Sequence, residues 1–312
     1  MEYRRLGESG LLVSEVGLGT NNFGTRLDQA HAQGVLDVAI ERGITFIDTA
    51  DMYGNGASET LLGATLGSRR SNVILATKVG MPVGDSPSRQ GLSRRWISKA
   101  IEGSLRRLRT DYIDLYQLHE PDDETPIEET LSALDDLVRA GKVRYVGTSN
   151  FEATQLIDAD RTARSDHRTL PISAQYVYNL IEGLGHGVLA ATEKLRLGLI
   201  AARPLAYGFL TGKFRGGIAP QGARLPDSKR AEQIMTQANF KRLEQLEVFA
   251  RDRGHTILEL AFAYLLTNSP VSSVIFSASS EAQLLDNVAA SNWRLTPGDM
   301  HSLAKLTSST AQ

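Results

Sequence analysis

Short apolar runs alternate along this chain with longer stretches whose apolar residues recur at helical spacing. The runs at residues 15–18, 45–48, 73–78, 113–117, 143–149, 172–176, 199–203 and 274–276 read as strands. Between them the helices have readable starts and stops. Residues 28–42 read as one helix, stopped by Gly43. Ser58 is placed to cap another before Glu59, and Ser93 to cap one running to Leu108. Thr125-Pro126-Ile127-Glu128 reads as a capping box with proline at the first helical position, and Gly141 ends that helix. Ahead of the series, Tyr3 to Arg5 and Leu11 to Val13 flank Gly7-Glu8-Ser9-Gly10 and predict a β-hairpin. Repeated strand and helix units in an undivided chain predict an α/β fold, a (β/α)8 TIM barrel spanning residues 1–312 as a single domain. Residues 205–230, after the seventh strand, form a long irregular insertion of the kind that usually carries function.

Composition narrows this reading. With 312 residues, 41% hydrophobic and 22% charged, the chain can bury a large core, and no Pro/Ser-rich linker divides it. The net charge of −2 comes from interspersed acids and bases, so neither a nucleic acid nor a membrane surface is an expected partner. There is no cysteine, which excludes thiol catalysis, cysteine-ligated zinc and disulfides together. The first ten residues, MEYRRLGESG, lack an apolar signal core. No apolar run approaches the ~18 residues of a membrane span, so the cytoplasm is the expected location.

Barrels of this kind place chemistry where strands end at the C-terminal face. Asp48 ends the second strand, Lys78 the third, His119 lies just past the fourth, and Tyr53 sits in the loop after Asp48. Singly, these read as a cap, a surface charge, a loop histidine and a packed tyrosine. Convergence on one mouth sets them apart. A phenol, with a pKa near ~10, becomes a useful proton donor only when its phenolate is stabilised. A neighbouring ammonium does this, and a carboxylate paired with the lysine holds that ammonium in place. Histidine then either orients a carbonyl oxygen or relays the proton. A metal at Asp48 and His119 is disfavoured, because one histidine and one carboxylate are too few and Lys78 repels a cation.

The segments FIDTADMYG, ILATKVG, YIDLYQLHEPD and GTSNF occur in an order and spacing that resembles the aldo-keto reductase family, from Gly17 to Ala290. The resemblance implies a nicotinamide-dependent carbonyl reductase, with Tyr53 as general acid, Lys78 and Asp48 tuning it, and His119 positioning the substrate carbonyl. Gly17-Leu18-Gly19 followed by Gly24 misses the G-x-G-x-x-G spacing, so a Rossmann cofactor site is not expected. In the family the cofactor lies across the barrel mouth instead. By this likeness Ser149, Asn150 and Gln175 hold the nicotinamide carboxamide, although Ser149 and Asn150 also read as a strand end and a helix cap. Backbone around Pro204, Leu205 and Gly208, with Lys213 and Arg224, would grip the pyrophosphate. Ser279, at the start of the last helix, would offer hydroxyl and N–H groups to a phosphate, with Gln283, Asp286 and Asn287 facing the adenosine end.

Three departures from the family pattern bear on specificity. Ala202 stands where many members have a ring that stacks on the nicotinamide, and Arg203 replaces a small residue. Phe276-Ser277 replaces the usual Pro-Gly. Ser277 and Gln283 stand where some relatives have a lysine and an arginine near the 2′-phosphate, which weakens charge selection of NADP over NAD. Ser279, Gln283, Lys213 and Arg224 favour NADP, with NAD as the other possibility. Asn21, Phe23, Met81, Tyr207 and Phe209 are expected to line the mouth, a mixed set that suits an aldehyde or ketone with an apolar portion. Arg203 is placed either to hold one negative group or to make an internal salt bridge. The expected partner is therefore a small carbonyl or alcohol substrate. Two other readings follow from the same resemblance: a sugar or alcohol dehydrogenase using NAD(P), and a nicotinamide-binding regulatory subunit like the β-subunits of potassium channels. The absence of an N-terminal extension favours a free enzyme.

Overall fold

The structure, a computed structural model, describes residues 1–214, 218, 225, 230–268 and 270–308. Strands β1 (Tyr3–Arg5) and β2 (Leu12–Ser14) pair antiparallel, as the expected hairpin. They are followed by β3 (Val16–Gly19), β4 (Phe46–Asp48), β5 (Ile74–Val79), β6 (Ile113–Leu118), β7 (Val143–Ser149), β8 (Pro171–Val177), β9 (Gly198–Ala202) and β10 (Val271–Phe276). These eight are parallel, each pairs with the next, and β10 closes on β3 to complete the barrel. The helices are α1 (Gln29–Glu41), α2 (Ala57–Leu66), α3 (Arg94–Leu108), α4 (Ile127–Arg139), α5 (Ala153–Ser165) and α6 (Val188–Lys194). After β9 come α7 (Ala231–Ile234), α8 (Gln237–Arg251) and α9 (Ile257–Thr267), then α10 (Glu281–Ala290) and α11 (Pro297–Ser308). Among the described residues, no helix is long and apolar enough to cross a membrane.

Every residue of β6 and of β10 is buried, which is why these strands read as continuous apolar runs. Alternate side chains serve two different layers. Ile47, Leu75, Tyr116 and Val146 point outward and pack under helical residues such as Leu36, Leu62, Ile97 and Leu134. Phe46, Ala76, Leu115, Ile200 and Ile275 form an inner layer. Because a strand repeats every two residues, the positions above Phe46, Ala76 and Leu115 also face inward. Those positions are Asp48, Lys78 and Gln117. The register aligns Asp48 with Ala76 and Lys78 with Gln117, so the polar groups share one end of the interior.

The hairpin seals the other end. Leu6, Leu11 and Val13 join the inner layer from below. Gly7 lies so close to the barrel floor that a Cβ there would stand 2.6 Å from the Ile172 carbonyl oxygen and 2.7 Å from that of Arg196. Its φ of +62° also favours glycine. Substituting Leu115 by alanine would open this layer, which costs ~2–5 kcal/mol at such sites.

Some helix starts differ from the expectation. Ser93 caps α3 by accepting from the Trp96 N–H at 3.3 Å, as expected. Ser58, in contrast, lies inside α2, whose cap is Gly56 at φ +92°. Its buried hydroxyl donates to the Thr20 carbonyl at 2.7 Å and lies 3.0 Å from the hydroxyls of both Thr20 and Thr49. The loops after β3 and β4 compete for that hydroxyl and win it from the helix end. Thr125-Pro126 forms no capping box either. Pro126 is itself the cap and Ile127 the first helical residue, while the Thr125 hydroxyl donates to Asp122 at 2.7 Å. The expected insertion begins with a 3₁₀ turn, Ala206–Thr211.

Candidate active site

Strand ends and one tight turn bring the four expected groups together. Asp48 is the last residue of β4, Lys78 the last but one of β5, and His119 follows β6. The turn after Tyr53 runs through Gly54, Asn55 and Gly56 at φ values of 58°, 53° and 92°, and the two glycines make three successive left-handed residues feasible. Lys78 Nζ donates to both Asp48 oxygens at 2.7 Å and to the Thr49 carbonyl at 2.7 Å. It lies 5.3 Å from the centre of the Tyr53 ring. The His119 ring stands edge-on to Tyr53, with centres 5.9 Å apart and planes at 80°.

Electrostatics assigns the protonation of Lys78 and His119. Burial opposes the Lys78 ammonium, but the Asp48 carboxylate and then Tyr53 outweigh it, and the lysine pKa lies above its ordinary value. Burial foremost, then the positive charges of Lys78 and Arg203, pushes the His119 imidazole down to about 3. It is therefore neutral at pH 7. Its Nδ1 has no hydrogen-bond partner.

Beside this group a cavity of about 480 Å³ runs from the mouth across the ends of β9 and β10. Asp48, Tyr53 and Gln175 stand at one end, and Ser279, Gln283, Asp286 and Asn287 at the other. Between them the backbone from Arg203 to Gly208 contains four left-handed residues, Arg203, Ala206, Tyr207 and Gly208, at φ values of 55°, 44°, 59° and 99°.

The family model for aldo/keto reductases matches residues 15–308. The chain belongs to the aldo/keto reductase family. An uncharacterized oxidoreductase, YrpG, of Bacillus subtilis (strain 168) is 37% identical over 302 residues, 93% of this chain and 91% of the relative. Probable voltage-gated potassium channel β subunits of Oryza sativa subsp. japonica and of Arabidopsis thaliana are each 36% identical, over 93% of this chain and 91% of the relative.

In this aldo/keto reductase the cavity gathers most residues expected at the cofactor. Gln175, Pro204, Leu205, Gly208, Lys213, Ser279, Gln283, Asp286 and Asn287 line it, as do Asn21 and Tyr207 from the substrate set. Gln175 gives its amide N–H to Asp48 at 3.4 Å, while its buried carbonyl oxygen has no partner. An unpaired buried acceptor at that end suits the N–H of a carboxamide, so this end of the cavity fits a nicotinamide. Ser149 pairs in register with Gln175 but lies off the wall. Asn150 is turned elsewhere, with its side-chain amide donating to the His119 carbonyl at 3.0 Å. Neither donor of Ser279 is free, since its N–H and hydroxyl bond the Gln283 side-chain oxygen at 3.0 and 2.8 Å.

Three expected mouth residues are not there. Phe23 is fully buried in the outer core, because its loop folds back through the Thr20 carbonyl and buries the ring. Phe209 is also fully buried, packed 5.4 Å from Phe214 and 5.1 Å from Phe240 between ring centres. Met81 is half-buried and off the cavity wall. Arg224 lies outside the described residues.

Sequence reasoning also missed groups. Gln117 is buried and donates to Asp48 at 3.3 Å, a second amide on that carboxylate. Its inward parity with Leu115 was the available signal. Glu59, fully buried, accepts from Thr77 at 2.6 Å and from Arg107 at 2.7 Å, and pins the start of α2 to β5 and α3. Arg26 lines the cavity from the loop after β3.

Proposed function

We propose that this chain reduces aldehydes or ketones to alcohols with NADPH, with Tyr53 as the general acid. The observation that carries the reading is the Lys78 ammonium, bonded to Asp48 at 2.7 Å and set 5.3 Å from the Tyr53 ring at the cavity end. When bound in this cavity, a reduced nicotinamide would supply a hydride for the carbonyl carbon. The Tyr53 hydroxyl gives its proton to the carbonyl oxygen, and the Lys78 ammonium stabilises the phenolate left behind. Asp48 holds that ammonium and is itself steadied by Gln117 and Gln175. Neutral His119 donates a hydrogen bond to the same carbonyl oxygen and does not compete as the acid. Gln175, whose buried carbonyl oxygen has no partner, receives the carboxamide. Backbone at Pro204, Leu205 and Gly208, with Lys213, takes the pyrophosphate, and Ser279, Gln283, Asp286 and Asn287 line the adenosine end. Lys213 and the side-chain N–H groups of Gln283 favour NADP over NAD.

Replacing Tyr53 by phenylalanine removes only the hydroxyl. The variant is expected to lose turnover by ~10²–10⁴-fold while NADPH still binds in a fluorescence titration. Undiminished turnover removes Tyr53 as the acid. The 36% identity to channel β subunits favours a second reading, a nicotinamide-binding regulatory subunit. A purified chain that binds NADPH yet reduces no member of a broad aldehyde and ketone panel would support it.

A further inference from the structure

Arg203 carries a charge the reaction above does not use. It directly follows β9 and lines the cavity together with Gln175 and Tyr53. Its φ of +55° is unfavourable for a side chain with a Cβ, and its surroundings hold it there. The Arg203 carbonyl accepts from the buried Asn179 side-chain amide at 3.1 Å and from the Ala206 N–H at 3.0 Å. The guanidinium lies 4.4 Å over the Tyr207 ring. Stacking occupies its face and leaves the donor edge open.

No carboxylate among the described residues pairs with it. Of the two acids on the cavity wall, Asp48 is held by Lys78, and Asp286 is exposed among the residues proposed for the adenosine end. The Arg203 charge reaches His119, where it helps depress the imidazole. Arg203 follows Ala202 on the wall that Tyr53 and Gln175 share, and with its charge felt at His119 it stands at the reacting end. A half-buried guanidinium with an open fork matches a carboxylate through two parallel hydrogen bonds.

We propose that Arg203 binds a carboxylate carried by the substrate, so that the preferred substrates are carbonyl compounds bearing an acid group, such as aldehyde acids and oxo acids. This rests on the carbonyl-reductase reading, and its test includes a readout that does not.

Aldehyde acids of two to six carbons are each paired with the neutral aldehyde of the same length and assayed with NADPH. Wild type is expected to favour the acid of its best pair by ~10–100-fold in kcat/KM, carried by KM. Arg203→Met erases that preference, and Arg203→Lys, which keeps the charge but not the fork, retains part of it. Separately, calorimetry measures the matching hydroxy acids binding to the protein–NADP⁺ complex, and Arg203→Met is expected to weaken the tightest by ~10-fold or more. If wild type reduces no aldehyde but binds a hydroxy acid through Arg203, the reductase reading falls and the anion site stands. Wild type that neither favours nor binds any acid overturns the proposal. So does an Arg203→Met variant that loses acid and neutral substrates equally, or that loses NADPH affinity, which would give Arg203 to the cofactor. The Lys variant serves as the comparison should the Met variant fail to fold.

Discussion

Asp48 and Asp51 lie three residues apart at the end of one strand, 3% and 1% exposed, yet their surroundings differ in kind. Asp48 accepts from the Lys78 ammonium and from the amides of Gln117 and Gln175. Neither oxygen of Asp51 has a hydrogen-bond partner. Burial first, and the Glu59 charge second, pushes the Asp51 carboxyl up to about 8, although Arg107, the nearby Met52 N–H, too poorly aligned to count as a full hydrogen bond, and Lys78 pull the other way. Burial alone therefore does not fix the charge of a carboxyl. What fixes it is whether the fold delivers a cation and donors to the same atom. Here the strand parity that points Asp48 into the barrel also points Lys78 and Gln117 there. Asp51 lies beyond the strand, where that alignment has ended. Placing the charge at Asp48 puts it where a proton must move.

The contrast breaks most severely at Lys78. Lys78→Met leaves Asp48 a buried charge without its cation, a change that costs ~3–5 kcal/mol of stability and that should lower turnover by ~10²–10⁴-fold. Denaturant unfolding and steady-state rates measure the two losses; a variant as stable and active as wild type would deny the pair its role. Asp51→Asn probes the opposite member. Because the folded carboxyl keeps its proton from about pH 4 to about 8 while the unfolded one has lost it, the folded state binds more protons across that window. Wild-type stability should thus fall as pH rises through the window, and the Asn variant should lack that component. Melting temperatures of both proteins at pH 5 and pH 9 give the difference, and parallel curves would place Asp51 in a solvated or paired state. The smallest effect is expected at His119. With its pKa pushed down to about 3, the folded protein binds fewer protons than the unfolded chain between that value and 6.5, so stability falls as pH drops through this range. The profile of kcat/KM should carry no inflection near 6.5 that His119→Gln removes. Finding one would make this histidine a titrating group.

The barrel was legible because its strands are buried on both faces and stand out as apolar runs between helices. Asp48 and Lys78 were legible for a related reason, since a charge that interrupts such a run must be accommodated. Gln117 was hidden because an uncharged amide inside an apolar strand carries no distinct signal until its parity is counted against Leu115. The reading failed where two nearby partners compete for one side chain. Ser58 fits a helix cap by local rules, but Thr20 and Thr49 lie close enough in space to claim its hydroxyl. Phe23 and Phe209 could face either a mouth or a core, and only the path of their loops decides. Arg203 stood out in the sequence as a departure from the family, but its stacking on Tyr207 and the absence of an acid partner among the described residues required the fold.

The hairpin that plugs the barrel has a consequence for how the chain comes off the ribosome. Its partners lie far downstream: Arg4 donates to the Val271 carbonyl at 2.9 Å, the Ser272 hydroxyl donates to the Arg5 carbonyl at 3.0 Å, and Gly7 rests against Ile172 and Arg196. Residues 3–14 are thus made before the partners they rest on and are the last seated. Until β10 emerges, Leu6, Leu11 and Val13 have no finished floor to enter, and the nascent chain must carry them exposed until then.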